Sequence, residues 1–253
     1  MPDKLILLIV AIVPALWLLR YYYKQDKAKP EPKKLVTKVF LWGFVLVIPA
    51  VILEKIMSQL LEPFTGGVLI LSIFARAFIV AGLIEEWLKR YAVKKVAYTN
   101  PYFDEVMDGI VYAVVASLGF ATIENIFYVM EGGLSTAIAR AFTALPLHAI
   151  TAGIMGYYIG KAKFAETKFA EHKFFAIGLQ KAVIIHGVYD FTVFTGARFS
   201  TYIFIALPFI LIFGFLYLRK LIKLAIMEDR EMGRHEFNTI YNQKNESFTN
   251  NIY

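Results

Sequence analysis

The chain has 253 residues, 58% of them hydrophobic and 16% aromatic, and its mean hydropathy of +0.56 lies well above that of a soluble domain. It carries a net charge of +7 and no cysteine, which excludes a disulfide framework, a Cys-ligated zinc or iron–sulfur centre and a thiol nucleophile. Its Lys and Arg residues sit at the ends of apolar blocks, where they orient a membrane protein, so the expected partner is the membrane and not nucleic acid. The apolar blocks approach the ~20 residues that cross a bilayer, and they predict an all-α, polytopic membrane helix bundle of about seven transmembrane helices. Residues 1–226 read as one transmembrane domain and residues 227–253 as a polar, mobile tail.

Residues 5–19 are an apolar run without the basic start and small-residue cleavage site of a removable signal peptide, so they read as a retained first span. The loop that follows carries Arg20, Lys24, Lys27, Lys29, Lys33, Lys34 and Lys38 against Asp26 and Glu31. By the positive-inside rule it is cytoplasmic, which puts the N-terminus outside. Span two is expected at residues 39–53. Span three starts near residue 68 after Pro63, Gly66 and Gly67, carries Arg76, and runs into Gly-Leu-Ile-Glu-Glu-Trp-Leu-Lys-Arg at residues 82–90. An arginine at mid-membrane depth calls for a partner or a wet cavity. Lys94 and Lys95 then mark a cytoplasmic loop. Span four, expected at residues 106–130, holds Asp108, Phe120, Glu124 and Asn125. Span five, expected at residues 134–160, holds Arg140 and His148, and its Ala149, Ala152, Gly153, Gly156 and Gly160 have the small-residue spacing that lets helices approach closely. After a Lys-rich loop, span six (residues 174–195) contains Lys181, His186 and Asp190. Span seven (residues 201–218) is uncharged and ends at Arg219, Lys220 and Lys223, which leaves the C-terminus cytoplasmic.

Ionisable groups inside membrane spans are expensive and mark a functional site by default, and spans three to six each supply at least one. On a helix Glu85 lies one turn from Lys89 and Glu86 one turn from Arg90. His186 and Asp190 share a helical face, so the acid is placed to orient the ring. Two chemistries fit the set. In one, Glu86, Glu124, His148 and His186 hold zinc or another divalent metal while a free Glu serves as base. In the other, Glu85 or Glu86 activates water without a metal and a His donates to the developing oxyanion. Glu124 adds more carboxylate than a water-activating pair requires, which favours the metal. A proton- or ion-coupled transporter would bury the same acids and histidines, but no internal repeat is visible. The bland reading of Glu124 is an ion pair with Arg140. Straight-helix counting also puts Glu124 near the outer end of span four and Glu85 and Glu86 near the inner end of span three, so their meeting requires a break at Gly82, tilt or a cavity.

Glu85-Glu86-x-x-Lys89, Phe120-x-x-x-Glu124, His148 and His186-Gly187-x-x-Asp190 resemble the PrsW family of bacterial intramembrane proteases. So do Asp104-Glu105-x-x-Asp108-Gly109-Ile110-Val111-Tyr112 and Gly119-Phe120-Ala121-Thr122-x-Glu124-Asn125, and the resemblance covers roughly residues 5–220. It implies a multi-pass protease of the bacterial cell membrane that makes the first, extracytoplasmic cut in a single-pass, membrane-anchored anti-sigma factor. The catalytic residues it implies are Glu85, Glu86, Glu124, His148 and His186, supported by Lys89, Phe120, Asp190 and Asp108. In the wider group that includes the CaaX prenyl proteases, the position of Glu124 is usually a His.

Overall fold

The computed structural model of the chain describes residues 4–25 and 29–250, with side chains as far as residue 234. Asp26 and Lys27 of the basic loop, and the tail's side chains beyond residue 234, lie outside the described residues. All regular structure among those residues is helical: α1 (Lys4–Tyr23), α2 (Lys33–Val45), α3 (Val47–Thr65), α4 (Leu69–Ala75), a π-helical segment (Arg76–Leu83), α5 (Ile84–Val96), α6 (Val106–Phe142), α7 (Ala144–Lys163), α8 (Lys168–Arg198), a 3₁₀ turn (Thr201–Ile205) and α9 (Ala206–Asn250).

The centre is the α6–α7 hairpin, in which residues 106–122 are buried and residues 144–160 nearly so. Its helices touch backbone to backbone: a Cβ on Gly109 would run into Gly156 and Gly160, and one on Gly156 into Gly109. Gly156 and Gly160, of the small residues read from residues 149–160, thus face α6, while Gly153 faces Leu218 of α9. One flank of the hairpin carries α1 and α2. Ala11 and Ala15 are fully buried there, and the Asn125 amide donates to the Ala11 carbonyl at 2.7 Å. The other flank carries α8, and the π-helical segment lies on α8 at a Gly82–Gly187 crossing where either glycine lacks room for a larger side chain.

One end of the bundle gathers the basic loops. Lys29 pairs with Asp104, Lys163 donates to the Tyr98 carbonyl at 2.7 Å, and Tyr98 donates to Glu171 at 3.0 Å. Asp229 of α9 accepts from the Val106 and Met107 backbone N–H groups at 2.6 and 3.0 Å.

Four stretches among the described residues are helices long and apolar enough to cross a membrane: Lys4–Tyr23, Lys33–Thr65, Val106–Lys163 and Thr201–Arg234. Seven spans were expected. The third stretch contains the whole α6–α7 hairpin, α4 to α5 is interrupted by the π-helical segment, and α8 carries Lys181, His186 and Asp190.

Boundaries differ for physical reasons. The expected span at residues 39–53 is part of a longer stretch that bends at Leu46 and stops only at Gly66. The expected fifth span does not run from residue 134: Gly133 takes a left-handed φ of 73°, residues 134–142 fold back, and α7 begins at Ala144. On a straight helix Arg140 would stand ~24 Å from Glu124, yet the two form an ion pair of 3.1 Å. Beyond Met227, where a mobile tail was expected, α9 continues and Glu228 accepts from Tyr157 at 2.9 Å and Lys161 at 3.0 Å.

Candidate functional site

The π-helical segment leads directly into α5, whose first turn carries Glu85 and Glu86. A π-helical turn takes up about one residue more than an α-turn and so rotates everything after it, a device common at functional sites. Past it, Glu85, Glu86 and Lys89 are all buried while Trp87 and Tyr91 face outward. α5 runs on to Val96, so Glu85 lies ~16 Å inward from the end of its helix. That extension, with the π-helical segment ending beside Gly82, resolves the depth mismatch with Glu124.

Lys89 is the hub. Its ammonium donates to Glu85 at 3.0 Å and Glu86 at 2.9 Å and lies 2.9 Å from Nδ1 of His148. It also sits 4.8 Å above the Phe120 ring. An ammonium only donates, so Nδ1 of His148 accepts and its Nε2–H is directed at Glu124, 2.8 Å away. Nδ1 of His186 lies 2.8 Å from Glu86, which also accepts from Thr151 at 3.3 Å. The other His186 nitrogen is 3.5 Å from Asp190, so Glu86 is the nearer carboxylate to that ring. The two imidazoles stand edge to face with centroids 5.4 Å apart. Glu86 and Lys89 are 0% exposed, and Oε2 of Glu86 is buried with no hydrogen-bond partner.

Glu85, Glu86, Glu124, His148 and His186, with Lys89, Phe120 and Asp190, therefore share one site. Asp108 does not join it: at the basic end its carboxylate accepts from the Asp104 and Glu105 backbone N–H groups at 2.8 and 2.7 Å. Arg90 does not pair with Glu86; it faces away and donates to the Phe175 carbonyl at 3.3 Å. Arg76 finds an aromatic partner, the Phe194 ring at 5.1 Å. Glu124 makes both contacts considered for it, with Arg140 and with His148. Glu54 of α3 is an addition, because it lies within electrostatic reach of Glu85, Glu124, Lys89 and His186. The sequence pattern ended its span one residue earlier. The stop signals at Pro63 and Gly66 are what would have kept it inside the helix.

The residues fit a divalent metal. Glu85, His148 and His186 each offer a ligand atom within 4.8 Å of the others, a donor set suited to catalytic zinc. With Glu54 within reach, five carboxylates (Glu54, Glu85, Glu86, Glu124 and Asp190) stand near two cations (Lys89 and Arg140), an acidic excess that a divalent ion would reduce. This set shares both histidines with the expected one of Glu86, Glu124, His148 and His186; Glu86 lies against His186 and Glu124 against His148.

Residues 31–216 match the family described as PrsW family intramembrane metalloprotease. The chain belongs to this family. It is 38% identical over 196 residues to Protease PrsW of Geobacillus kaustophilus, covering 78% of this chain and 83% of that protein. With Protease PrsW of Bacillus subtilis it shares 36% over 209 residues, 83% of this chain and 91% of the relative. With that of Clostridioides difficile the figure is 32% over 212 residues, 82% and 87% of the two chains. No solved structure matches it. The chain is thus a member of a membrane peptidase family, and every buried charged group described at the PrsW site falls inside the matched region.

Proposed function

We propose that this chain hydrolyses a peptide bond in a single-pass, membrane-anchored anti-sigma factor, making the first cut on the extracytoplasmic side of the bacterial cell membrane. The observation that carries the reading is the buried convergence of Glu85, Glu86, His148, His186 and Glu124 on Lys89. Glu85 makes its described bond to Lys89 alone, so it is the carboxylate open to a water molecule. Glu85 takes a proton from water as the oxygen attacks the scissile carbonyl carbon, and returns it to the amide nitrogen as the C–N bond breaks. His186, held by Glu86, is placed to donate to the carbonyl oxygen as it gains negative charge. Glu86, Thr151 and Glu124 position the two imidazoles, and Lys89 holds Glu85 and Glu86 together. With a divalent metal bound, Glu85, His148 and His186 would serve as its ligands in place of these base and donor roles, and the metal would supply Lewis acidity.

The gathering of the basic loops at one end of the bundle supports seven crossings with the N-terminus outside and the C-terminus in the cytoplasm. Glu124 lies ~27 Å along α6 from Val106 and His148 ~22 Å along α7 from Lys163. In a hydrocarbon core of ~30 Å, both distances favour chemistry in the half far from the basic end. The test is reconstitution of the full chain in liposomes with a single-pass anti-sigma factor. Expected are two fragments whose masses place the cut on the extracytoplasmic side, and their absence with Glu85→Gln. Ion flux without cleavage would replace the protease reading by a transporter.

A further inference from the structure

The helix that carries the site has a second, outward face with a different character. Trp87, Arg90, Tyr91, Lys94 and Lys95 line an open cleft of about 360 Å³, within the size range of small-molecule sites. Trp87 and Tyr91 stack with centroids 6.1 Å apart, and Trp42 of α2 meets Tyr91 edge-on at 6.4 Å. Both α5 rings are about 40% exposed, at 43% and 40%, and Lys94 and Lys95 lie in the last turn of α5, at the basic end of the bundle. Trp and Tyr with neighbouring cations are what a helix shows at the membrane–water boundary.

Three cations line this cleft and no carboxylate does. Elsewhere at the same end, Lys29, Lys161 and Lys168 are paired with Asp104, Glu228 and Glu171. Arg90 and Lys94 are one turn apart, and like charges at that spacing repel. An anion between them relieves the repulsion, and the rings beside it suit an occupant that is apolar on one side. We infer that this cleft binds the phosphate headgroup of an anionic phospholipid, with the glycerol and upper acyl chain against Trp87 and Tyr91. The headgroup would hold the outer face of the helix whose inner face presents Glu85, Glu86 and Lys89, and so set the depth and rotation of that helix. The inference stands on the cleft alone and is independent of the peptidase chemistry.

Native mass spectrometry of the full chain released from mixed phosphatidylglycerol and phosphatidylcholine vesicles tests it. Expected is retention of phosphatidylglycerol over phosphatidylcholine, weakened on the order of tenfold or more by Lys94→Gln/Lys95→Gln. Lys33→Gln/Lys34→Gln, which removes the same charge from exposed positions at the same end, should keep the retention. Equal retention of the two lipids overturns the inference, as does an equal loss in both double variants, which would mean diffuse attraction. Displacement of the lipid by millimolar inorganic phosphate would reassign the cleft to a free anion and also overturn it.

Discussion

Two polar clusters are buried in this bundle, and they differ in what answers their charges. At the basic end, the Asp229 carboxylate accepts from Val106 and Met107 N–H, and Asp108 accepts from Asp104 and Glu105 N–H. The Tyr112 hydroxyl closes on Glu31. Apart from the Tyr112 hydroxyl, these partners are backbone donors at the start of a helix, and they are already oriented by it. In the middle of the bundle the helical backbones are satisfied internally, so Glu85, Glu86, Glu124, His148 and His186 meet side chains, from their own helix and from others. Bonds of that kind can be exchanged for bonds to a substrate without unwinding anything. A buried acid in a span is therefore not enough to mark a site. The kind of partner separates a reactive cluster from a helix cap.

The sharpest way to break this distinction is to neutralise one acid in the centre while keeping its shape. Glu85→Gln should lower cleavage by ~10²–10⁴, the range for loss of a general base, with an unchanged unfolding temperature; full activity would remove the centre's claim to chemistry. Lys89→Met probes the same cluster through stability. It leaves Glu85 and Glu86 buried without their shared cation, a loss of about 3–5 kcal/mol for a broken buried pair, read as a fall in unfolding temperature in detergent. His148→Ala and His186→Ala should each slow cleavage by ~10²–10³. If Glu85, His148 and His186 hold a metal, elemental analysis will show metal content falling with activity in both variants, and a chelator will mimic them.

Asp108 shows why part of this was legible in the sequence and part was not. Acids and histidines in spans three to six drew attention to groups that do converge in the structure, because burying charge in a membrane is costly wherever it occurs. The same rule drew in Asp108, although Asp104-Glu105-x-x-Asp108 is a local capping arrangement whose donors are its own backbone. Glu54 was passed over for the opposite reason, since a charge at the end of an apolar run looks like a membrane boundary. The return of the chain at Gly133 and the π-helical turn before Glu85 leave no mark on hydropathy. Both are tertiary solutions to bringing Arg140 and Glu85 to Glu124. The family was legible because its motifs preserve the spacing of the groups that meet.

At the basic end the expected effects are smaller. Asp229→Ala removes acceptors from the first turn of α6 and should cost ~1 kcal/mol, the usual value of a helix cap, seen as a modest fall in unfolding temperature with cleavage intact. A loss of cleavage comparable to Glu85→Gln would mean that the cap and the centre are not separable.

The smallest effect belongs to an exposed pair at the same end. The Lys168 ammonium, 2.6 Å from Glu171, holds that carboxyl below the usual carboxylate range, and the Tyr98 hydroxyl assists. A depressed value in the folded state means that the pair adds stability above the ordinary Glu range near pH ~4.3 and loses it as pH falls through the folded value. Lys168 is 87% exposed, so screening by water leaves little energy in the pair. Lys168→Gln should therefore raise the titration midpoint of the Glu171 carboxyl carbon in an NMR titration, while the unfolding temperature at pH 7 stays within error. A large fall in stability at pH 7 would show instead that Glu171 and Tyr98 anchor α8 to the end of α5 as firmly as Asp229 anchors α9 to α6.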